Sequence, residues 1–155
     1  MKIHFLVLIS ILILAPKIIS AQKKNIPFND SKVQYEGRIA FSDSTASLNW
    51  SGSSINLNFK GSEISAILKD ADTANYYNVI LDDTVISKIQ LDTIKKSYIL
   101  ASGLSKGKHK IQLYKRTEGG KGQTFFYGFE TNENDKILSK SKPKKKKMEF
   151  YGDSI

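Results

Sequence analysis

Between residues 33 and 131 the apolar side chains recur at every second position, in short runs broken by Gly, Asp, Asn or Ser. A period of two puts the apolar set on one face of an extended chain, which is the mark of half-buried strands. Ile55, Leu57 and Phe59 alternate ahead of Lys60-Gly61, Ile64, Ala66 and Leu68 ahead of Asp70, and Tyr77, Val79 and Leu81 ahead of an Asp82-Asp83 turn. Val85, Ile89 and Leu91 predict a fourth strand, residues 98–101 a fifth, His109, Ile111 and Leu113 a sixth, and residues 124–129 a seventh. Two more fall at 34–41 and 46–50. No stretch after Ala21 keeps a 3.6-residue period, which argues against βαβ units. The pattern predicts an all-β fold: a two-sheet jelly-roll β-sandwich of about nine short antiparallel strands.

The chain has 155 residues, room for one such domain and not for two. With 10 Gly and 3 Pro it is neither fibrous nor a Pro/Gly-rich disordered chain. It has no cysteine, which excludes disulfides, thiolate nucleophiles, zinc fingers, iron–sulfur clusters and a lipidated cysteine. Packing alone is expected to hold the fold. Ahead of the strands, Met1-Lys2, an apolar run from Phe5 to Ala15, Pro16 and the small-residue step Ser20-Ala21 have the layout of a secretory signal peptide over residues 1–21. The run is about ten residues, half of the roughly 20 that a bilayer span needs. The expectation is therefore cleavage after Ala21, a secreted or periplasmic location in a bacterial envelope, and no membrane partner afterwards.

Lys and Arg number 24 against 15 Asp and Glu, for a net charge of +9. Setting aside Lys2, Lys17 and the seven lysines at 136, 140, 142 and 144–147 leaves 15 basic residues against those 15 acids. The excess thus sits in residues 1–21 and in one tract that holds no acid and no aromatic, unlike a nucleic-acid face, where basic residues spread over a surface among stacking rings. Residues 136–147 read as a solvated linker after a domain at 22–135, with contact to an anionic surface as the competing reading. The carboxylates Asp70, Asp72, Asp82, Asp83 and Asp92 are scattered over turns without ligand spacing, so neither a metal nor another cofactor is expected.

After the lysines, Met148 and Phe150 alternate as the start of a new strand, and Gly152-Asp153-Ser154-Ile155 follows. A small residue and turn formers after a strand can present a hydroxyl beside free backbone N–H groups at a coming helix start. Upstream stand Gly37-Arg38, Trp50-Ser51-Gly52-Ser53, Phe59-Lys60-Gly61, Tyr77-Asn78-Val79-Ile80-Leu81-Asp82, Leu100-Ala101-Ser102-Gly103-Leu104, Gly107-Lys108-His109, Lys115-Arg116-Thr117-Glu118 and Phe126-Tyr127-Gly128-Phe129. In that order and spacing the set resembles the N-terminal domain of carbohydrate esterase family two, a jelly roll that precedes an SGNH-type hydrolase domain. The junction in that family is a basic segment, an Ile-Glu-Phe-like strand and Gly-Asp-Ser-Ile. One departure is Asp82-Asp83 where Asp-Gly is expected.

The resemblance implies that residues 148–155 begin an α/β SGNH hydrolase domain. Ser154 would be the nucleophile of the parent enzyme and its backbone N–H part of the oxyanion hole. The base and the remaining oxyanion donors, a Gly and an Asn, belong to later blocks. The parent would remove O-acetyl groups from plant polysaccharides such as xylan or mannan, with the missing hydrolase domain as a partner in cis, and the 155 residues alone would be inactive. His109 precedes Ser154, whereas the family's base follows the nucleophile. It reads as a turn or sheet-edge residue with a satisfied imidazole. A second reading is a non-catalytic carbohydrate-binding module with Trp50, Tyr76 and Tyr77 as candidate sugar contacts. Trp50 reads as core, because it closes an apolar strand, and adjacent Tyr76 and Tyr77 must point to opposite faces. Arg38 and Arg116 are expected to pair with acids, Glu118 first among them.

Overall fold

A computed structural model describes residues 22–142. The expected signal peptide at 1–21, the second half of the lysine tract and Ser154 with its flanking residues lie outside the described residues. Among those described, every element is a strand and every pairing is antiparallel. One sheet holds β1 (Lys23–Pro27), β3 (Ile39–Phe41), β4 (Ala46–Leu48), β6 (Ile64–Asp70), β9 (Lys96–Ala101) and β11 (Thr124–Asn132). The other holds β2 (Gln34–Glu36), β5 (Ser54–Lys60), β7 (Tyr76–Leu81), β8 (Thr84–Gln90), β10 (Lys108–Lys115) and β12 (Lys136–Ile137).

The two sheets share one design. In the first, ordered β3-β4-β11-β6-β9, the long β11 has β6 along one side, while β4 and β1 divide its other side. In the second, ordered β12-β5-β10-β7-β8, β5 has β10 along one side, while β2 and β12 divide the other. The steps from β4 to β5, β5 to β6, β6 to β7, β9 to β10 and β10 to β11 all change sheet, the jelly-roll course. Between the sheets lies one core, built from the alternating positions read from the sequence: Ile55, Leu57 and Phe59, Ile64, Ala66 and Leu68, Tyr77 and Val79, Ile111 and Leu113.

The described residues form twelve strands where about nine were expected, for three local reasons. Residues 34–41 split at Gly37, whose φ of +87° turns the chain from the second sheet into the first at a point where a β-carbon would stand 3.0 Å from Ser53 Cα. Strand β1 carries a single buried apolar residue, Ile26, so it shows no alternation; pairing with β11 holds it. Strand β12 hides in the lysine tract. Lys136 and Ile137 pair with Lys60 and Phe59, Leu138 N donates to Asn58 O at 2.8 Å, and Asn58 Nδ2 donates to Ser139 O and Ser141 Oγ. Backbone pairing with β5 thus continues through Lys136 and Ile137, inside the stretch read as the start of a linker.

The Asp82-Asp83 turn is as tight as a hairpin allows. Leu81 pairs with Thr84, and the two aspartates between them take φ of +50° and +65°, the type I′ pattern. In β11 a bulge at Tyr127 lets Phe126 and Phe129, three residues apart, both face the core with ring centroids 4.9 Å apart. Gly128 follows at a point where a β-carbon would collide with Ile26 O.

Candidate functional site

Trp50 is not in the core. It is 49% exposed, a correction to the strand-end reading. The ladder of β4 stops at Leu48, so alternation no longer governs Trp50. Instead it opens a turn closed by Ser53 N donating to Trp50 O at 3.3 Å, with Gly52 at φ +78°. Gly119 lies under the indole, where a β-carbon would stand 3.1 Å from Cε3, and the Arg38 guanidinium carbon is 5.4 Å from the ring centroid. Arg38, Ile39, Asn49, Trp50 and Gln123 are among the walls of a groove of about 500 Å³. A planar aromatic, a guanidinium and side-chain amides are the groups that stack on and hydrogen-bond a sugar ring.

Tyr76 and Tyr77 do face opposite ways. Tyr77 is 0% exposed in the core and so makes no sugar contact, which removes it from the candidates. Tyr76 is partly exposed beside Lys88, Arg116 and Thr117 around a pocket of about 190 Å³, with Lys88 Nζ 5.2 Å from its ring centroid. Tyr76 and Trp50 line separate pockets, so the fold does not join them into one platform. Neither arginine finds the acid expected of it among the described residues. Arg38 stacks on Trp50, and Arg116 Nη1 donates to Asn78 Oδ1 at 3.3 Å rather than to Glu118.

His109 lines a third cavity of about 530 Å³ together with Asn58, Asp82, Lys108 and Ser139. It sits in a central strand rather than at a sheet edge, but ahead of Ile111, where the ladder to β7 begins. Its Nδ1 is 2.7 Å from Asp82 Oδ2 and its Nε2 is 2.9 Å from Ser105 O, so both ring nitrogens face acceptors. The Asp82 carboxylate, then the Ser105 carbonyl, hold the imidazole above its ordinary range. Partial burial pushes the Asp82 carboxyl up, but bonds from His109 and from Lys110 N outweigh it and hold the carboxyl below its usual range. A ring whose Nε2 is already spent on a carbonyl has no lone pair for a nucleophile. The satisfied imidazole expected from the sequence is what the fold contains. Ser154, the expected nucleophile and oxyanion donor, lies outside the described residues.

Comparison with known proteins follows this geometry. A family model described as "Carbohydrate esterase 2 N-terminal" matches residues 35–140. Cellulase/esterase CelE of Acetivibrio thermocellus is 34% identical over 137 residues, which cover 87% of this chain and 17% of that protein. A family two carbohydrate esterase from Clostridium thermocellum, solved in complex with cellohexaose, superposes with a TM-score of 0.67 at 35% identity over 72% of this chain and 34% of the other. A family two carbohydrate esterase from Cellvibrio japonicus gives a TM-score of 0.71 at 21% identity, over 77% of this chain and 36% of the other, a likeness of fold. The chain thus spans less than two-fifths of the length of each of these relatives.

Proposed function

The chain belongs to the carbohydrate esterase 2 N-terminal family, and from that premise we propose that it serves as the accessory jelly-roll domain of an exported SGNH-type esterase. The larger part of each solved relative lies outside the match, which supports a separate unit for the chemistry. Ser154 is the nucleophile of that unit and its N–H one of the oxyanion donors. The substrate is an O-acetylated plant polysaccharide such as xylan or mannan, and residues 1–21 direct the protein out of the cytoplasm.

The observation that carries this reading is the state of His109. Of the two histidines in the sequence, His4 falls in the expected signal peptide and His109 has both of its nitrogens engaged, so no histidine among the described residues is free to take a proton from Ser154. An alcohol without a base is a weak nucleophile. The purified chain is expected to leave acetylated xylan and a chromogenic acetyl ester at the buffer rate. Turnover that Ser154→Ala abolishes would overturn the proposal.

The exposure of Trp50 supports a second reading, in which the sandwich itself holds a glycan chain along the Trp50–Arg38 groove. Loss of an aromatic stacking face costs about 0.5–1.5 kcal/mol, or roughly 2- to 12-fold in affinity. Retention of the wild-type chain on insoluble cellulose, xylan or mannan, with Trp50→Ala released several-fold sooner, is the expected result. Equal behaviour of the two proteins excludes the groove.

A further inference from the structure

At one end of the sandwich, where the last residues of β6 and β10 and the first of β11 converge, the core holds a lysine. Lys115 is 0% exposed, as are Asp70, Asn75, Tyr77 and Thr124 around it. An ammonium carries three donors, and one acceptor meets them here: Lys115 Nζ donates to Asn75 Oδ1, with the Tyr77 ring centroid 5.6 Å away. Asp70 does not pair with Lys115. Its Oδ1 accepts from Asn75 Nδ2 at 2.9 Å, from Thr124 Oγ1 at 3.2 Å and from Ala71 N at 3.1 Å, while its Oδ2 has no partner among the described residues. A carboxamide therefore stands between a buried amine and a buried carboxyl, touching both.

The geometry points to a modification site: an intramolecular amide bond between Lys115 Nζ and Asn75 Cγ, formed with loss of ammonia and with Asp70 carrying the proton. Nζ already contacts Oδ1, one bond from the carbon it attacks. The neutral amine forms the new bond to Cγ, the Cγ–Nδ2 bond breaks, one proton passes from Nζ through the Asp70 carboxyl to Nδ2, and ammonia leaves. Atoms balance with no oxidant or co-reactant.

The surroundings favour each part of this. Burial lowers the Lys115 ammonium and raises the Asp70 carboxyl, toward the neutral amine and neutral acid that the reaction uses. The reacting groups are held. Lys115 N donates to Ser53 O at 2.9 Å and Lys115 O accepts from Gly52 N at 3.0 Å, while Asn75 Nδ2 also donates to Lys121 O at 2.9 Å. Fixed near-attack geometry in a dry site is what replaces an external catalyst. The bond also relieves a cost, since it turns a buried three-donor cation into a one-donor amide. It would close the chain between residues 75 and 115, a staple in a protein without cysteine.

The test is the mass of the full chain under denaturing conditions, followed by tryptic mapping. The expected mass is about 17 Da, one ammonia, below that of the sequence, with peptide 70–88 joined to peptide 111–116 and no cleavage after Lys115. The map is needed because cyclisation of Gln22, once exposed by leader removal, sheds the same mass. Asp70→Asn is expected to restore separate peptides. Recovery of 70–88 and 111–115 as free peptides from the wild-type chain overturns the proposal, and a joined pair in Asp70→Asn overturns the role of Asp70.

Discussion

Two aspartates sit in the left-handed region at the β7–β8 hairpin, where a side chain is strained and glycine is not. They do different work. Asp82 binds His109 Nδ1 and Lys110 N, so its identity is fixed. Asp83 makes an exposed ion pair with Lys110 at 2.9 Å, worth little in water. Asp83→Gly is therefore expected to raise stability by about 0.5–1 kcal/mol, read by thermal or urea melting. The His109–Asp82 pair adds a pH signature. His109 is raised in the folded state, so its contribution is full below its unfolded value of about 6.5 and fades as pH rises through the folded one. Asp82 is lowered, so its contribution is full above about 3.9 and fades as pH falls through the folded value. The pair stabilises most between those limits. His109→Gln is expected to remove the fall on the alkaline side, which shows as the difference between the two profiles of melting temperature against pH.

At the scale of the strand, the bulge in β11 decides how the first sheet closes. If residues 126–129 kept regular alternation with no bulge at Tyr127, Phe126 and Phe129 would face opposite ways, and one large ring would leave the core. Gly128 makes room for β1 to lie against the bulge, with Phe28 N donating to Tyr127 O at 3.0 Å. Gly128→Ala forces β1 away and is expected to cost about 1–3 kcal/mol, measured by denaturant unfolding. The far edge of the second sheet depends on β12 in a similar way. A chain ending at Asp135 leaves the Lys60 end of β5 bare, and it is expected to melt lower and associate more readily than one ending at Lys142. Both strands escaped the alternation pattern for one reason: a short edge strand with a single inward side chain has no period to show.

For the whole molecule, the balance of charge and platform separates the ways this domain could meet a polysaccharide. Away from residues 1–21 and the lysine tract, acids and bases cancel, so a glycan held at Trp50 is held by stacking and hydrogen bonds. Replacing residues 144–147 by Gln is expected to leave retention and its salt dependence unchanged, while a steep loss with added salt would assign binding to the tract instead. The core was legible in the sequence: Ile55 to Phe59, Ile64 to Leu68 and Ile111 to Leu113 alternate because a sheet with one wet face demands it, and the ordered motifs carried the family. Tertiary structure alone decided what lies where that demand lapses. Trp50 came out of the core because its strand ends two residues earlier, and Arg38 met an indole instead of an acid. Lys115 lies 40 residues from Asn75, and Asn75 five from Asp70, in a chain whose pattern speaks only of neighbours two residues away. Their meeting required two sheets to close over them, since burial and contact between distant positions are properties of the packed sandwich and not of any strand in it.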